Sequence, residues 1–297
     1  MAVSVQTYDG RRERAVRIGV VLSAGGLRGA AHVGVLRRLV AECIPIDVLV
    51  GVSAGAVIAA YYAAAGLSLD ELYSDAVNLR GHHLLLHSAN VQLRRRFERA
   101  LAPRCGVIPD RLRQLESARF DTLHHGVSGL GIGCHDVLTD LPRYFTTGAD
   151  HGVALHEVVK ASASIPMLFP CVPVVCEGER WLLTDGGVSD PVPIAFARRP
   201  PLAAARIIVS DCRWIGTRPR VDEHTVWIRP RMPGTGTIWT RQGLASAVRQ
   251  GEAAVTCEML ARIRAWLPRS PTAQDPSTDP PKPASSRDDG APRCPPE

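Results

Sequence analysis

Hydrophobic positions along this chain fall into short runs separated by glycine and polar turns. "VRIGVVLS" (16–23) is a β-branched apolar run that ends in "SAGGLRG", and it predicts a buried parallel strand. Across "AAHVGVLRRLVAE" (30–42), Val33, Leu36, Leu39 and Val40 share one helical stripe, with Arg37 and Arg38 off it. "DVLVG" (47–51) predicts a second buried strand. The alanine-rich stretch 54–65 predicts a helix, with Gly66 in the left-handed position just past its end. Residues 68–125 predict mainly helix, with a basic face around Arg94, Arg95, Arg96 and Arg99 and surface histidines at 82, 83, 87, 124 and 125. Further on, "GLGIGCHDVLTD" and "RYFTTG" read as strands, and 154–164 as a helix stopped by Ile165-Pro166. A hairpin follows over 171–187, strands over 206–212 and 225–230, and one long amphipathic helix over 240–267.

One stretch admits two readings. From Val48 to Leu67 no side chain is charged, which is long enough to cross a bilayer. A membrane helix has no use for breaks at Gly51, Ser53 and Gly55, however, and Pro45 and Asp47 stand at its start. Strand, turn and helix account for the same residues, so a buried βα unit is expected and no transmembrane helix.

Composition changes this picture little. The 297 residues can bury a large core, organised as a flexible leader (1–15), a folded body (16–267) and a disordered tail (268–297) that holds nine prolines. Aromatic residues make up 5%, which speaks against a nucleic-acid surface built on stacking rings. The formal charge is +6, nearly all of its positive side arginine, since Lys160 and Lys282 are the only lysines. That balance is compatible with transient contact with anionic membrane surfaces. Eight cysteines form no C-x-x-C pair and no zinc-type cluster, which implies free thiols in a reducing compartment. The polar N-terminus lacks the apolar core of a signal peptide, so a cytoplasmic protein is expected.

Three elements carry candidate chemistry. The first is "GVSAG" (51–55): Gly51 and Gly55 flank Ser53 at a strand-to-helix turn, the spacing of a strained nucleophile turn, with a helix N-terminus behind it to favour negative charge. The second is "SAGGLRG" (23–29), where the unobstructed amides of Gly25 and Gly26 can point at an oxyanion. No Gly-Lys-Ser/Thr follows, and Ala24 and Gly51 stand where a dinucleotide site wants a glycine and an acid. The third is Asp185 in "LLTDGGVSDP", ending an apolar run before Gly186 and Gly187. In isolation it reads equally well as a turn.

In this order the three elements resemble the patatin-like phospholipase family, whose pattern is G-G-G-x-R-G, then G-x-S-x-G, then D-G-G/A. "AAHVGVL", "ASASIPMLFP" (161–170) and "DGGVSDPVP" (185–193) extend the likeness over roughly 16–230. The resemblance implies a three-layer α/β/α domain with a central, mostly parallel sheet. It also implies hydrolysis of a lipid ester by a Ser53–Asp185 dyad through an acyl-enzyme. Its oxyanion loop would hold Gly25, Gly26, Arg28 and Gly29, with Arg28 fixing the loop or offsetting charge, and it needs neither cofactor nor metal. Phospholipid, lysophospholipid and neutral acylglycerol all suit that chemistry, and the arginine-rich body favours phosphate-bearing lipids. Two positions depart from the pattern. Ala24 replaces the first loop glycine, which is tolerable unless φ is positive there. Asp190 stands where relatives commonly carry Asn, so a second carboxylate near Asp185 would raise its pKa or serve a turn. Two rival readings stay open: an α/β-hydrolase triad completed by His224, and a catalytically silent membrane- or partner-binding relative.

Overall fold

In the computed structural model the described residues are 16–80, 82, 83, 85, 87, 88, 108–149, 151–214, 222–231 and 240–268. The leader, the tail beyond Pro268 and the arginine cluster at 94–99 lie outside them. The main compact unit ends at Trp266.

Among the described residues eight strands join in one sheet. They are β1 (Ile18–Leu22), β2 (Val48–Val52), β3 (Gly129–Asp136), β4 (Leu141–Thr146), β5 (Val172–Cys176), β6 (Glu179–Asp185), β7 (Arg206–Ser210) and β8 (Thr225–Ile228). Their order is β5-β6-β3-β2-β1-β7-β8, with β4 paired to β3 off this path. Strands β3, β2, β1, β7 and β8 run parallel, and β4 and β6 run antiparallel to β3. The parallel strands are buried on both faces, which is why they read in sequence as unbroken apolar runs rather than alternations.

Helices cover both faces, giving three layers. On one face Val21, Val48, Val50, Ile207 and Val209 pack against Phe196 and Ala197 of the short helix α6 (Ile194–Arg198) and against Leu202 and Ala204. The other face carries α2 (Ala54–Ala63) across β1, β2 and β3, with α5 (Leu155–Ser162) on β3 and β6. Helix α1 (Ala30–Ala41) packs beside α2, and α3 (Leu69–Asn78) beside both. The described part of the 68–125 region also contains α4 (Ile108–Glu116), seated on α5. The apolar stretch at 48–67 is strand, turn and helix, and no helix among the described residues is long and apolar enough to cross a membrane.

The helix expected over 240–267 is instead two, α7 (Arg241–Ala254) and α8 (Cys257–Arg264). Val255 leaves helical geometry, and Thr256 caps the second helix by accepting a hydrogen bond from Met259 N–H at 3.3 Å. The apolar periodicity runs through the break, so only the cap at Thr256 marks it.

Helix α7 lies unusually close to α1. A methyl group on Gly34 would overlap the Val248 carbonyl, and one on Gly251 would overlap the Ala31 carbonyl. Because backbone meets backbone there, no rotamer change can relieve the overlap. Gly34→Val should therefore destabilise the fold by about 1–3 kcal/mol or more, read as a fall in the urea midpoint.

Candidate active site

The site sits beyond the carboxyl ends of β1 and β2, beside the point where strand order turns from β2 on one side of β1 to β7 on the other. That crevice is where open α/β sheets place their ligands. Ser53 occupies the turn from β2 into α2 with φ 56° and ψ −125°. A left-handed backbone at a non-glycine residue costs on the order of 1–3 kcal/mol and persists only where its surroundings enforce it. Here the glycines at 51 and 55 permit the turn to close. A side chain on Gly55 would overlap the Leu22 carbonyl, and one on Gly51 the Gly55 carbonyl.

Sheet pairing brings the distant carboxylate to this turn. Strand β4 takes one edge of β3 over 131–136, so β2 and β6 must share the other edge. The last residue of β2, Val52, lies opposite Gly133, and the last residue of β6, Asp185, lies opposite Cys134. Two strands running in opposite directions thus meet end to end on adjacent residues of β3. Ser53 Oγ donates a 2.6 Å hydrogen bond to Asp185 Oδ2 across this junction. Both residues are buried, at 4% and 5% exposure. Burial raises the Asp185 pKa above the usual carboxylate value, opposed by the Ser53 hydroxyl and by Gly187 N–H, which donates to Oδ1 at 2.8 Å.

Ser162, at the end of α5, holds the junction from below. Its Oγ accepts the Ser53 backbone N–H at 3.0 Å and donates to the Gly133 carbonyl at 2.6 Å. The serine hydroxyl thus ties the strained turn to β3, and it occupies the amide of Ser53 itself. Any oxyanion must then look elsewhere for donors.

The glycine loop supplies the alternative. It forms a short 3-10 turn, Gly26–Gly29, running straight into α1, with Gly26 at φ +52°. The amides of Gly25 and Gly26 have no intramolecular acceptor among the described residues, as expected at a helix start. Gly26 and Ser53 line the same cavity. Gly29 lets the loop touch the nucleophile turn, since its missing Cβ would fall against the Ala54 methyl. Arg28 points away from the cavity. Its Nε donates to the Cys212 carbonyl at 2.9 Å, a second nitrogen donates to the Arg213 carbonyl, and its guanidinium stacks on Trp214. Beneath the loop, buried His32 bonds the Ser23 carbonyl through Nε2 at 3.0 Å and Ser210 Oγ through Nδ1 at 2.7 Å. Desolvation pushes its pKa down to about 4, so it is neutral.

An apolar cavity of about 300 Å³ opens at Ser53. Three helices line it with the same spacing: Ala54, Val57, Ile58 and Tyr61 on α2; Leu72, Asp75 and Ala76 on α3, with Leu79 just past its end; Ile108, Arg111, Leu112 and Leu115 on α4. Val159, Ile165 and Phe169 close another side.

The family model described as patatin-like phospholipase matches residues 20–198. The chain belongs to the patatin-like phospholipase family. Similar curated proteins include a patatin-like phospholipase domain-containing protein of Caenorhabditis elegans, 59% identical over 46 residues, which are 16% of this chain and 3% of that one. Lysophospholipase NTE1 of Mycosarcoma maydis is 47% identical over 53 residues, 18% of this chain and 3% of that one. The matched segments are thus a small fraction of these much longer relatives. Among solved structures, VipD from Legionella pneumophila superposes with a TM-score of 0.48 at 12% identity, covering 85% of this chain and 67% of that one.

Within this patatin-like frame, each expected site residue can be placed. Ser53 and Asp185 come together, Gly186 packs on the Gly133 carbonyl, and Gly187 donates to Asp185. Ala24 does not adopt a positive φ, so its methyl group is accommodated. Asp190 accepts a hydrogen bond from Tyr144 Oη at 2.5 Å, and burial, not a second carboxylate, raises Asp185. The triad through His224 is overturned. His224 precedes β8, at the amino ends of the parallel strands, with its side chain beside Glu223, whereas Ser53 lies at their carboxyl ends. Ser162 is the position at this site that pattern reading missed. It lies inside "ASASIPMLFP", but as one polar residue ending an amphipathic helix it carries no signal of its own.

Replacing Ser162 by Ala strands a buried amide and a buried carbonyl together. The expected loss is about 1–3 kcal/mol of stability, seen in the denaturant midpoint. Ser162→Thr, which keeps the hydroxyl, should retain more of it.

Proposed function

We propose that this protein hydrolyses the carboxylic ester of a lipid through an acyl-enzyme on Ser53. The observation that carries the reading is the buried 2.6 Å bond from Ser53 Oγ to Asp185 Oδ2 beside unpaired glycine amides and an apolar cavity. Family membership supports a lipid substrate, and relatives named lysophospholipase support one with a phosphate-bearing head group.

In this reading Asp185 takes the Ser53 proton as Oγ attacks the ester carbonyl carbon. A serine hydroxyl needs such a base, and a carboxylate serves better when burial makes it more basic. Negative charge gathers on the carbonyl oxygen, facing the Gly25 and Gly26 amides and the N-terminus of α2. Collapse breaks the bond to the alcohol oxygen, which leaves with the proton returned by Asp185. Water then enters, gives its proton to Asp185 and attacks the acyl carbon, releasing fatty acid and restoring Ser53. Arg28 acts through the loop backbone and keeps the glycine amides in place. The free thiols of Cys43, Cys134, Cys212 and Cys257 and the +6 charge support a cytoplasmic protein that meets lipid at anionic membrane surfaces.

A fluorophosphonate should label the wild-type protein and leave Ser53→Ala unlabelled. Ester hydrolysis should fall at least about a thousandfold in Ser53→Ala and in Asp185→Asn, while His224→Ala keeps its rate. Absence of labelling and of hydrolysis in the wild type would instead favour a silent binding protein. Because the base must be ionised, kcat/KM should climb as pH rises through the raised Asp185 pKa. Stability should move the opposite way. Asp185 holds its proton more tightly folded than unfolded, so rising pH weakens the wild type relative to Asp185→Asn across that window.

A further inference from the structure

Exposed apolar side chains are spread unevenly over this molecule. Among the described residues nine large ones stand exposed. Val40 is near the end of α1, from which the chain returns to the amino end of β2, and Leu85 belongs to the segment before α4. The other seven lie at the carboxyl ends of the parallel strands, the end that carries Ser53.

Sheet register places four of them. Val52, the last residue of β2, is opposite Gly133, and β3 continues for three residues to Asp136. At about 3.3 Å per residue, the turn into β4 stands about 10 Å beyond the end of β2. That turn displays Val137 and Leu138, with Leu141 opposite Asp136. Strand β5 runs in the same direction as β3 and exposes Val175 one residue before its end. The remaining three sit beside the cavity or the Ser53–Asp185 pair. Met167 is the apex of a turn in which the Ile165 carbonyl accepts from the amides of Leu168 and Phe169, at 3.1 and 3.0 Å, and Ile165 and Phe169 line the cavity. Val188 follows Gly187, whose amide donates to Asp185. Trp214, four residues past the end of β7, stacks under the Arg28 guanidinium at 4.4 Å from the ring centre.

Met167 is 100% exposed on a left-handed backbone (φ 69°), which is uncommon outside glycine. Such strain, with no packing in return, points to a use outside the isolated chain. A protein partner has a fixed shape and needs a continuous patch to match it. Here single side chains stand at the tips of separate loops beside an apolar cavity. A fluid apolar phase accepts each tip independently, and Trp favours the boundary between lipid and water. Charge at this end is mixed: exposed Lys160 and Arg180 stand with exposed Asp140, Glu177 and Glu179. Apolar insertion, not charge, therefore has to hold the contact.

We propose that Leu138, Met167 and Trp214 insert into a lipid bilayer surface and seat the carboxyl end of the sheet on it. Interfacial apolar groups enter the head-group region to about 5–10 Å, so an inserted β3–β4 turn brings Ser53 to the lipid surface. The proposal rests on the hydrolase reading for its purpose, delivery of a lipid ester to Ser53, and not for its measurement.

The test is cosedimentation of the full-length protein with vesicles of diether phosphatidylcholine, which an ester hydrolase does not consume. The wild type should bind, and binding should persist in high salt. Leu138→Ser/Met167→Asn should lower the partition coefficient by about tenfold or more. Asparagine accepts the left-handed backbone at 167, so the turn is kept. Val40→Ser, at the opposite end of the sheet, should leave binding unchanged, and both variants should hydrolyse soluble p-nitrophenyl butyrate at the wild-type rate. The inference is overturned by no binding, by an equal loss in Val40→Ser, or by binding that requires equimolar phosphatidylglycerol and vanishes in high salt. A loss of vesicle binding matched by an equal loss of soluble-ester hydrolysis assigns the effect to the site and also overturns it. So does a dimer in sedimentation velocity, in place of vesicle binding, that Leu138→Ser/Met167→Asn abolishes, since this face is then a protein interface. Vesicle binding with the expected variant pattern but no hydrolysis of any ester leaves the docking standing and defeats the hydrolase reading.

Discussion

Everything at this site depends on β3 holding two other strands end to end along one edge. A parallel strand and an antiparallel strand arrive from opposite directions, and their last residues pair with neighbouring positions, Gly133 and Cys134. No loop has to bring the two side chains together, because backbone hydrogen bonds of the sheet set the separation of Ser53 and Asp185. The edge-sharing is possible only because β2 stops at Val52, where the chain turns sharply into α2. The Ser53 turn and the Ser53–Asp185 contact are therefore one structural event.

Strain and burial at that junction are balanced by specific contacts. The left-handed Ser53 backbone is tied down by Ser162, and the buried carboxylate is held by two donors. Burial makes Asp185 a stronger base and also makes its charge unfavourable for folding. The opposite choice is made under the glycine loop, where His32 is kept neutral and serves as a hydrogen-bonding spacer between Ser23 and Ser210. Two buried titratable groups a few residues from the cavity thus have different uses, set by what faces them. Asp185 faces a hydroxyl whose proton it can take; His32 faces a carbonyl and a hydroxyl that need only a neutral partner.

Much of the sheet was legible in the residues. Apolar runs at 18–22, 48–52 and 207–209 mark strands buried on both sides, and the glycines around Ser53 mark a sharp turn. The cap at Thr256 was hidden by apolar periodicity that continues through it. The α1–α7 contact was hidden because Gly34 and Gly251 act through the space they leave. Ser162 was hidden because its hydrogen bonds reach two backbone groups distant in sequence, one in the turn after β2 and one in β3.

Sequence alone determined the identity and order of the candidate groups, since the Ser53 turn, the glycine loop and the Asp185 turn are local patterns of turn-forming residues. Tertiary structure decided which of them meet. Ser53 and Asp185, 132 positions apart in the chain, carry no local record of sharing an edge of β3. It likewise excluded His224 by placing it at the amino ends of the strands, and it made a cavity from helices that each show only an ordinary apolar stripe. The physical reason is the same in each case. Local conformation depends on neighbours in the chain, whereas distance between groups depends on strand register and helix packing, which the whole fold settles at once.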